Sequence, residues 1–390
     1  MASPSHDPNT QAVHAGTLPD PTTGGAVSPL YPATAYPYLE TNDLPYPRYF
    51  NVPNHQAVAQ KLAALEHAER GLMLASGMAA ISTGLFTFLQ AGDHAVFQKS
   101  VYGGTFKLIT HQLERFGITY SWAEGQQAAD FAAAMQPNTK LVYMETPSNP
   151  LLKITDIAGV VAVAKTQGAL TMIDNTFASP INQTPHDLGV DIVMHSATKY
   201  LGGHSDITAG SLTGSNAHVE AMMHTARLMG GSLAPETLLL LERSMKTLGI
   251  RVRQQTENAM ALAQWLEAQN GISRVYYPGL ESHPGHALAR EQMHGFGAML
   301  SFDVAEDRDP VAFQKALRLI APVISLGAVE TTLTAPALTS HAALSAEEQR
   351  AEGISDRTLR LSVGIEGVND LQGDLLQALK VAERTPAALS

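Results

Sequence analysis

The segment HSATKYLGGH (195–204) sets one ammonium group, Lys199, behind two small hydroxyls, Ser196 and Thr198, and ahead of two glycines. Upstream, Asp174 closes the apolar run ALTMI, and ASGMAAISTGL (75–85) opens as a helix does, with Ser76, Gly77 and Met78 at its start. The first amides of a helix lack intrahelical acceptors and suit a phosphate. A carboxylate keeps a pyridine nitrogen protonated, and a lysine holds an aldehyde as a Schiff base. Phosphate, protonated ring nitrogen and aldehyde are the three handles of pyridoxal 5'-phosphate. Each residue alone is ordinary: lysine after a strand is usually solvated, Asp-Asn is usually a turn, and glycine often precedes a helix. Their joint order, helix start, strand-end acid, then Ser-x-Thr-Lys, points to the cofactor.

These groups need a scaffold. HAVFQ, KLVYMET, ALTMIDNT and DIVMHSAT read as strands, and DIAGVVAVAKTQG, between two of them, reads as a helix closed by glycine. Nearly unbroken apolar strands alternating with helices predict an α/β domain, its mostly parallel sheet covered on both faces. Asp174 and Lys199 then fall at carboxyl ends of strands, where open α/β sheets bind ligands. Val58, Leu62 and Leu65 mark one face of a helix from about Gln56 that ends before Gly71. A long helical segment is expected from about Pro235 to Asn270, with a break at Gly249 and Ile250. Beyond it, GAMLSFDV and RLSVGIE are strands and VNDLQGDLLQALKVA is a closing helix, predicting a smaller C-terminal α/β domain. The first 54 residues hold too many prolines for a helix or central strand and read as an extended arm. The expected division is an arm over 1–54, a large domain over 55–250 and a small domain over 251–390.

With 390 residues, 45% of them apolar, the chain is long enough for two domains with proper cores. Its net charge is -11 and its basic residues are scattered, so no nucleic-acid partner is expected. No run approaches the length of a membrane span, and MASPSHDPNTQAVHAG lacks the apolar core of a signal peptide, so a cytoplasmic protein is expected. The absence of cysteine excludes disulfides, thiolate nucleophiles and cysteine-ligated metals. His195, His204 and His341 adjoin the motifs but lack the spacing of a ligand set, so they read as structural and no metal is expected.

TQAVHAG, ASGMAAIS, VYGGTF, ETPSNPLLKITDI, DNTFASP, HSATKYLGGHSD and RLSVGIE together resemble, over nearly the whole chain, the Cys/Met metabolism family of pyridoxal-phosphate enzymes, of cystathionine γ-synthase, cystathionine γ-lyase and methionine γ-lyase type. The resemblance implies the PLP-dependent transferase fold of type I. It also implies a homotetramer of two dimers whose active sites are each completed by the neighbour's N-terminal arm. By the same resemblance Lys199 is the Schiff-base lysine and Asp174 pairs with the pyridine nitrogen. Tyr102 stacks on the ring and helps activate the incoming amine, and Gly77, Met78, Ser196 and Thr198 hold the phosphate. Tyr46 and Arg48, in YPR, match the family's Tyr-x-Arg and are expected to reach the phosphate of the adjacent subunit. Arg360 is expected to clamp the substrate α-carboxylate, Asn149 to bond near the cofactor's phenolic oxygen or that carboxylate, and Ser325 and Ser340 to line the wall. The plainer readings are packing for Tyr102, a solvated arm residue for Arg48, an ion pair for Arg360 and a turn before Pro150 for Asn149.

The implied reaction removes the α proton, expels a γ substituent and releases a 2-oxo acid, ammonia and a thiol. Departures from the family pattern bear on the substrate. The position before SLG, often Glu, is Ile324; the Arg of YGGxxR is Lys107; the residue before Tyr46, acidic in some members, is Pro45. An apolar wall favours a short thioether over a second zwitterionic head group. The cysteine that methionine γ-lyases usually carry after Tyr-Gly is Gly104, and RYFNVPN has one residue more than the usual Arg-x-x-Asn-Pro-Thr. A carbon–sulfur lyase of methionine or cystathionine γ-lyase type is therefore expected. The alternatives are γ-replacement, as by cystathionine γ-synthase or O-acetylhomoserine sulfhydrylase, in which Lys107 meets a distal carboxylate, and a non-catalytic cofactor-binding relative, against which Lys199, Asp174 and Tyr102 argue.

Overall fold

The computed structural model describes residues 6–39, 44–342 and 345–383. It divides into two compact units, Met1–Thr146 with Thr155–Ile250, and Pro147–Ile154 with Arg251–Ser390.

The first unit begins with helices α1 (Pro8–His14) and α2 (Pro53–Leu65), strand β1 (Arg70–Leu74), helix α3 (Gly77–Phe88), strand β2 (His94–Gln98), helix α4 (Gly103–Leu108) and strand β3 (Thr119–Ala123). It continues through α5 (Ala128–Ala134), β4 (Thr139–Glu145), α6 (Ile157–Thr166), β5 (Leu170–Asp174), α7 (Ser179–Asn182), β6 (Ile192–His195), β7 (Gly210–Gly214), α8 (Asn216–Met229) and α9 (Pro235–Met245). Its sheet has the order β1-β7-β6-β5-β4-β2-β3, parallel except for β7, which is antiparallel to both neighbours. The central strands read as continuous apolar runs because both faces are buried. Phe97, Tyr143, Met172 and Met194 join a core shared with α3 and α8, while Val96, Val142, Ile173 and Val193 join a second core shared with α5 and α6. Each such buried side chain contributes about 1.5–3 kcal/mol.

The arm contains a helix. Pro8 occupies an early position of α1, where a missing N–H costs nothing, and Asp7 caps the amide of Asn9. Lys61, fully buried in α2, satisfies the end of α1 by donating to the Ala12 carbonyl at 2.8 Å. Ser28 donates to the buried Glu242 at 2.8 Å. Parts of the first 54 residues are thus fixed on their own unit; residues 1–5 and 40–43 of the expected arm lie outside the described residues. Set against Arg-x-x-Asn-Pro-Thr, the additional residue of RYFNVPN is Val52, which is buried and extended (φ -75°, ψ 151°) at the position just before α2.

The second unit holds α10 (Leu248–Glu267, entering from the first), β8 (Ile272–Tyr276), α11 (His286–Gln292), β9 (Met299–Val304), α12 (Pro310–Ala316), β10 (Thr332–Thr334), α13 (Ala346–Ala351), β11 (Thr358–Ser362) and α14 (Val368–Val381). Its sheet is antiparallel, in the order β10-β11-β9-β8. The segment 147–154 is tied to β9 by the Ser301 hydroxyl, which donates to the Pro150 carbonyl at 2.7 Å. The break in the long helix falls at Lys246 and Thr247 rather than at Gly249 and Ile250, which continue α10. There the Thr247 amide turns back to the Ser244 carbonyl at 3.3 Å, a tight turn that interrupts the helical ladder.

Candidate active site

The carboxyl ends of β2, β4, β5 and β6 bring Gln98, Glu145, Asp174 and His195 to one edge of the first sheet, with Glu145 directly opposite Asp174. Asp174 is buried, and its Oδ1 accepts from the Thr176 amide at 3.0 Å. Burial pushes its carboxyl up; the Thr176 hydroxyl and amide, then the His195 ring, pull against it. A protonated ring nitrogen supplies the cation that such a carboxylate needs to stay ionised. The chain leaves β6 through Ser196, whose amide donates to the Thr176 hydroxyl at 2.8 Å, and enters a turn closed by the Lys199 amide on the Ser196 carbonyl at 3.0 Å. The Thr198 hydroxyl exchanges bonds with the backbone of Ala209, at 3.1 Å as donor and 3.0 Å as acceptor.

Helix α3 starts against this turn. Ser76 caps it by accepting from the Ala79 amide at 3.0 Å, and the amides of Gly77 and Met78 find no acceptor among the described residues. A Cβ at Gly77 would lie 2.8 Å from the Ser196 Cβ and 3.1 Å from its Cα, so glycine alone lets the helix start close on the Ser196 loop. Open amides beside small hydroxyls and a strand-end acid fit the phosphate and the ring nitrogen of pyridoxal 5'-phosphate. The structure brings Gly77, Ser196, Thr198, Lys199 and Asp174 together.

Tyr102 precedes α4, is exposed, and donates its amide to Glu145 Oε2 at 2.7 Å. A Cβ at Gly104 would come within 2.5 Å of the Tyr102 ring and 2.9 Å of the Met78 sulfur, which groups Tyr102 with Met78 and means that a larger residue here has to displace one of these two side chains. Lys107, on the same helix, is exposed. Tyr46 caps the short helix Pro47–Tyr49, and Arg48 donates to the Arg227 carbonyl at 2.7 Å and stacks over the Tyr49 ring at 4.8 Å. Within its own chain Arg48 therefore serves the end of α8, and none of its described bonds is to Gly77, Met78, Ser196 or Thr198.

In the second unit Arg360 is the third residue of β11, not its start, and is buried. Its Nη1 donates to Asn149 Oδ1 at 2.5 Å, which makes Asn149 more than a turn residue. Ser340 pairs with His341 Nδ1 at 2.8 Å, and burial, then the nearby Arg360 charge, push the His341 ring down to about 4. Ser325 takes a left-handed φ of 93°, and Ile324 beside it is 73% exposed.

Two contributors escape sequence reasoning. Thr176 joins the acid to the Ser196 loop, and Glu145 fixes the Tyr102 backbone while its own amide and carbonyl are held by Gln98. A carboxylate ending the apolar run KLVYM was the one available signal for Glu145. Nothing local marks Thr176.

The profile of the Cys/Met metabolism PLP-dependent enzymes matches residues 9–380. Cystathionine beta-lyase of Lactococcus lactis subsp. cremoris (strain MG1363) is 40% identical over 377 residues, 95% of this chain and 98% of that protein. L-methionine gamma-lyase of Fusobacterium nucleatum is 39% identical over 386 residues, 95% of this chain and 97% of its own. The crystal structure of cystathionine gamma-lyase from Lactobacillus plantarum complexed with L-serine superimposes with a TM-score of 0.93 at 41% identity, covering 97% of this chain and 99% of that one. The geometry of the first sheet's edge and these likenesses lead to one conclusion: the chain belongs to the Cys/Met metabolism family of pyridoxal-phosphate-dependent enzymes, with their fold and cofactor.

Proposed function

We propose that the protein is a pyridoxal-phosphate-dependent carbon–sulfur lyase that removes the γ substituent of sulfur amino acids. The observation that carries the reading is the gathering, at one sheet edge, of buried Asp174, the Ser196–Lys199 turn and the open amides of α3. When bound, the cofactor supplies a sink for the electrons left at the substrate Cα. Lys199 Nζ would take the α proton, and Asp174 would hold the proton on the pyridine nitrogen by its charge. Gly77, Met78, Ser196 and Thr198 would grip the phosphate, and the Tyr102 ring would stack on the cofactor. Arg360, steadied by Asn149, binds the α-carboxylate. A second proton would then be lost from Cβ, whose electron pair forms the Cβ–Cγ double bond as the γ C–S bond breaks with its own pair on sulfur; the sulfur would take a proton, and water would release ammonia and the 2-oxo acid.

The apolar, exposed Ile324 supports a preference for a short thioether such as methionine over cystathionine, while Ser325 and Ser340 line the wall. The basic, exposed Lys107 favours the second reading, γ-replacement, because it offers a distal carboxylate a partner. The expected cofactor domain over 55–250 is corrected at 147–154, which pack with 251–390 as part of the small domain, and 1–54 is an arm that would carry Tyr46 and Arg48 to the adjacent subunit of a homotetramer. Exposed Val27, Tyr38 and Leu39 along that arm support its covering a second copy. No helix among the described residues is long and apolar enough to cross a membrane, and a cytoplasmic site of action is part of the same proposal.

The test is separate incubation with methionine, cystathionine, homocysteine, and O-acetylhomoserine plus cysteine, with products identified by mass spectrometry. Methanethiol and 2-oxobutanoate from methionine support the reading. Cystathionine made from the ester and cysteine, without elimination, selects γ-replacement, and pyruvate from cystathionine shows that the β bond is cut instead. Ile324→Glu is expected to move relative efficiency from methionine toward cystathionine by roughly tenfold.

A further inference from the structure

Glu66 is a fully buried carboxylate at the end of α2, more than a hundred residues away in sequence from every cofactor-site residue on β5 and β6. Its Oε1 accepts from Asn175 Nδ2 at 3.0 Å and lies 2.5 Å from His195 Nε2. Asn175 follows Asp174 directly, and His195 precedes Ser196 directly. The two strands end side by side, with Asp174 opposite Met194 and the Asn175 amide on the Met194 carbonyl at 3.0 Å. Asn175 is held further by Gln183, its Nδ2 donating to the Gln183 carbonyl and its Oδ1 accepting from the Gln183 side-chain Nε2, both at 2.9 Å. One carboxylate therefore grips the residue after the acid and the residue before the lysine loop. A buried carboxyl whose Oε2 has no hydrogen-bond partner among the described residues is costly, and a well-packed apolar side chain of similar size is often as stable in such a place, so stability alone is a weak account of it.

We propose that Glu66 is a positioning residue of the reaction: through Asn175 and His195 it fixes the ends of β5 and β6, and with them the spacing between Asp174 and the turn carrying Ser196, Thr198 and Lys199. This rests on the cofactor reading of that sheet edge. The His195 ring held by Glu66 is also the group that, after Thr176, opposes the upward push of burial on Asp174. Glu66 touches neither substrate nor cofactor in this account. It sets how firmly the acid faces the ring nitrogen, so its loss weakens the electron sink rather than substrate binding.

The test compares wild-type holoenzyme with Glu66→Gln, His195→Gln and the double variant, reading the cofactor's visible absorption spectrum, the cofactor dissociation constant, kcat and KM separately, and the thermal midpoint. Expected for each single variant is a changed absorption band and a kcat lower by about tenfold to a hundredfold, with KM little changed. The double variant is expected to lose no more than the worse single one, because the two groups act as a unit. A Glu66→Gln protein that loses only thermal stability, with band, cofactor affinity and kcat intact, overturns the proposal, as does a fully additive double variant. If Glu66→Gln does not fold, His195→Gln is read by the same criteria. A wild-type protein that never develops the cofactor band fails the underlying reading instead, which keeps the two failures distinct.

Discussion

In the first unit the polar groups of the candidate site stand at or past the ends of parallel strands, whereas in the second Arg360 stands in the middle of an antiparallel one. Past a strand end the backbone is free to turn, so Ser196 to Lys199 and the start of α3 can offer amides and hydroxyls as well as side chains. Arg360 has its backbone locked in register with Ser301 and Thr334, and offers only a guanidinium from a fixed point. Many directional donors suit a phosphate and a reacting centre; one rigid charge suits the orientation of a carboxylate. On the proposed reading, the first region supplies the chemistry and the second the alignment of the substrate.

The largest effect that tests this division is expected for Lys199→Ala, with turnover reduced by more than roughly a thousandfold and no cofactor fixed by borohydride. Borohydride reduction of the wild type followed by peptide mapping must place the label on Lys199; a label on another lysine removes the central group. Asp174→Asn comes next, with kcat down by about 10²–10³ in a folded protein, since a neutral amide no longer holds the ring proton. Near-normal turnover of that variant breaks the contrast from the chemical side. Arg360→Lys keeps the charge and loses the planar fork, so KM rises by on the order of tenfold while kcat falls less. A loss confined to kcat erases the distinction between the regions.

The smallest effect concerns acid stability. Burial above all holds His55, in the first unit, and His283 and His341, in the second, each at about 4. An unfolded histidine titrates near about 6.5, so between there and 4 the unfolded chain binds protons that the folded chain does not. Stability therefore falls as pH drops through that window, by on the order of 1–3 kcal/mol per group. His283→Gln should blunt the fall in hydrogen-exchange protection of the second unit and leave the first unchanged. Equal blunting in both shows that the units do not respond separately.

Much of the first unit was legible because strands buried on both faces write themselves as apolar runs, and because Asp174 and Lys199 sit where those runs stop. Helix α1 was hidden by its proline, which is harmless only at a helix start and looks the same elsewhere in the sequence. The helix break was misplaced because Gly249 is a weak helix former that α10 nevertheless absorbs, while the turn that interrupts the ladder is made by Thr247 on Ser244. Thr176 and Glu66 were invisible for a different reason: their meaning lies in partners such as Ser196 and His195, far away along the chain. Arg360 was singled out by resemblance alone, since an arginine inside a strand carries no local sign of what it binds.

The close approach of the Tyr102 ring and the Met78 sulfur at Gly104 belongs to a chain without a single sulfhydryl. A catalyst that liberates thiols works amid its own reactive product, and a cysteine beside the cofactor is open to mixed-disulfide formation, alkylation and oxidation. This chain offers no such target. Its catalysis should proceed unchanged after exposure to iodoacetamide or to oxidised thiol product, so accumulation of that product cannot switch it off by disulfide exchange.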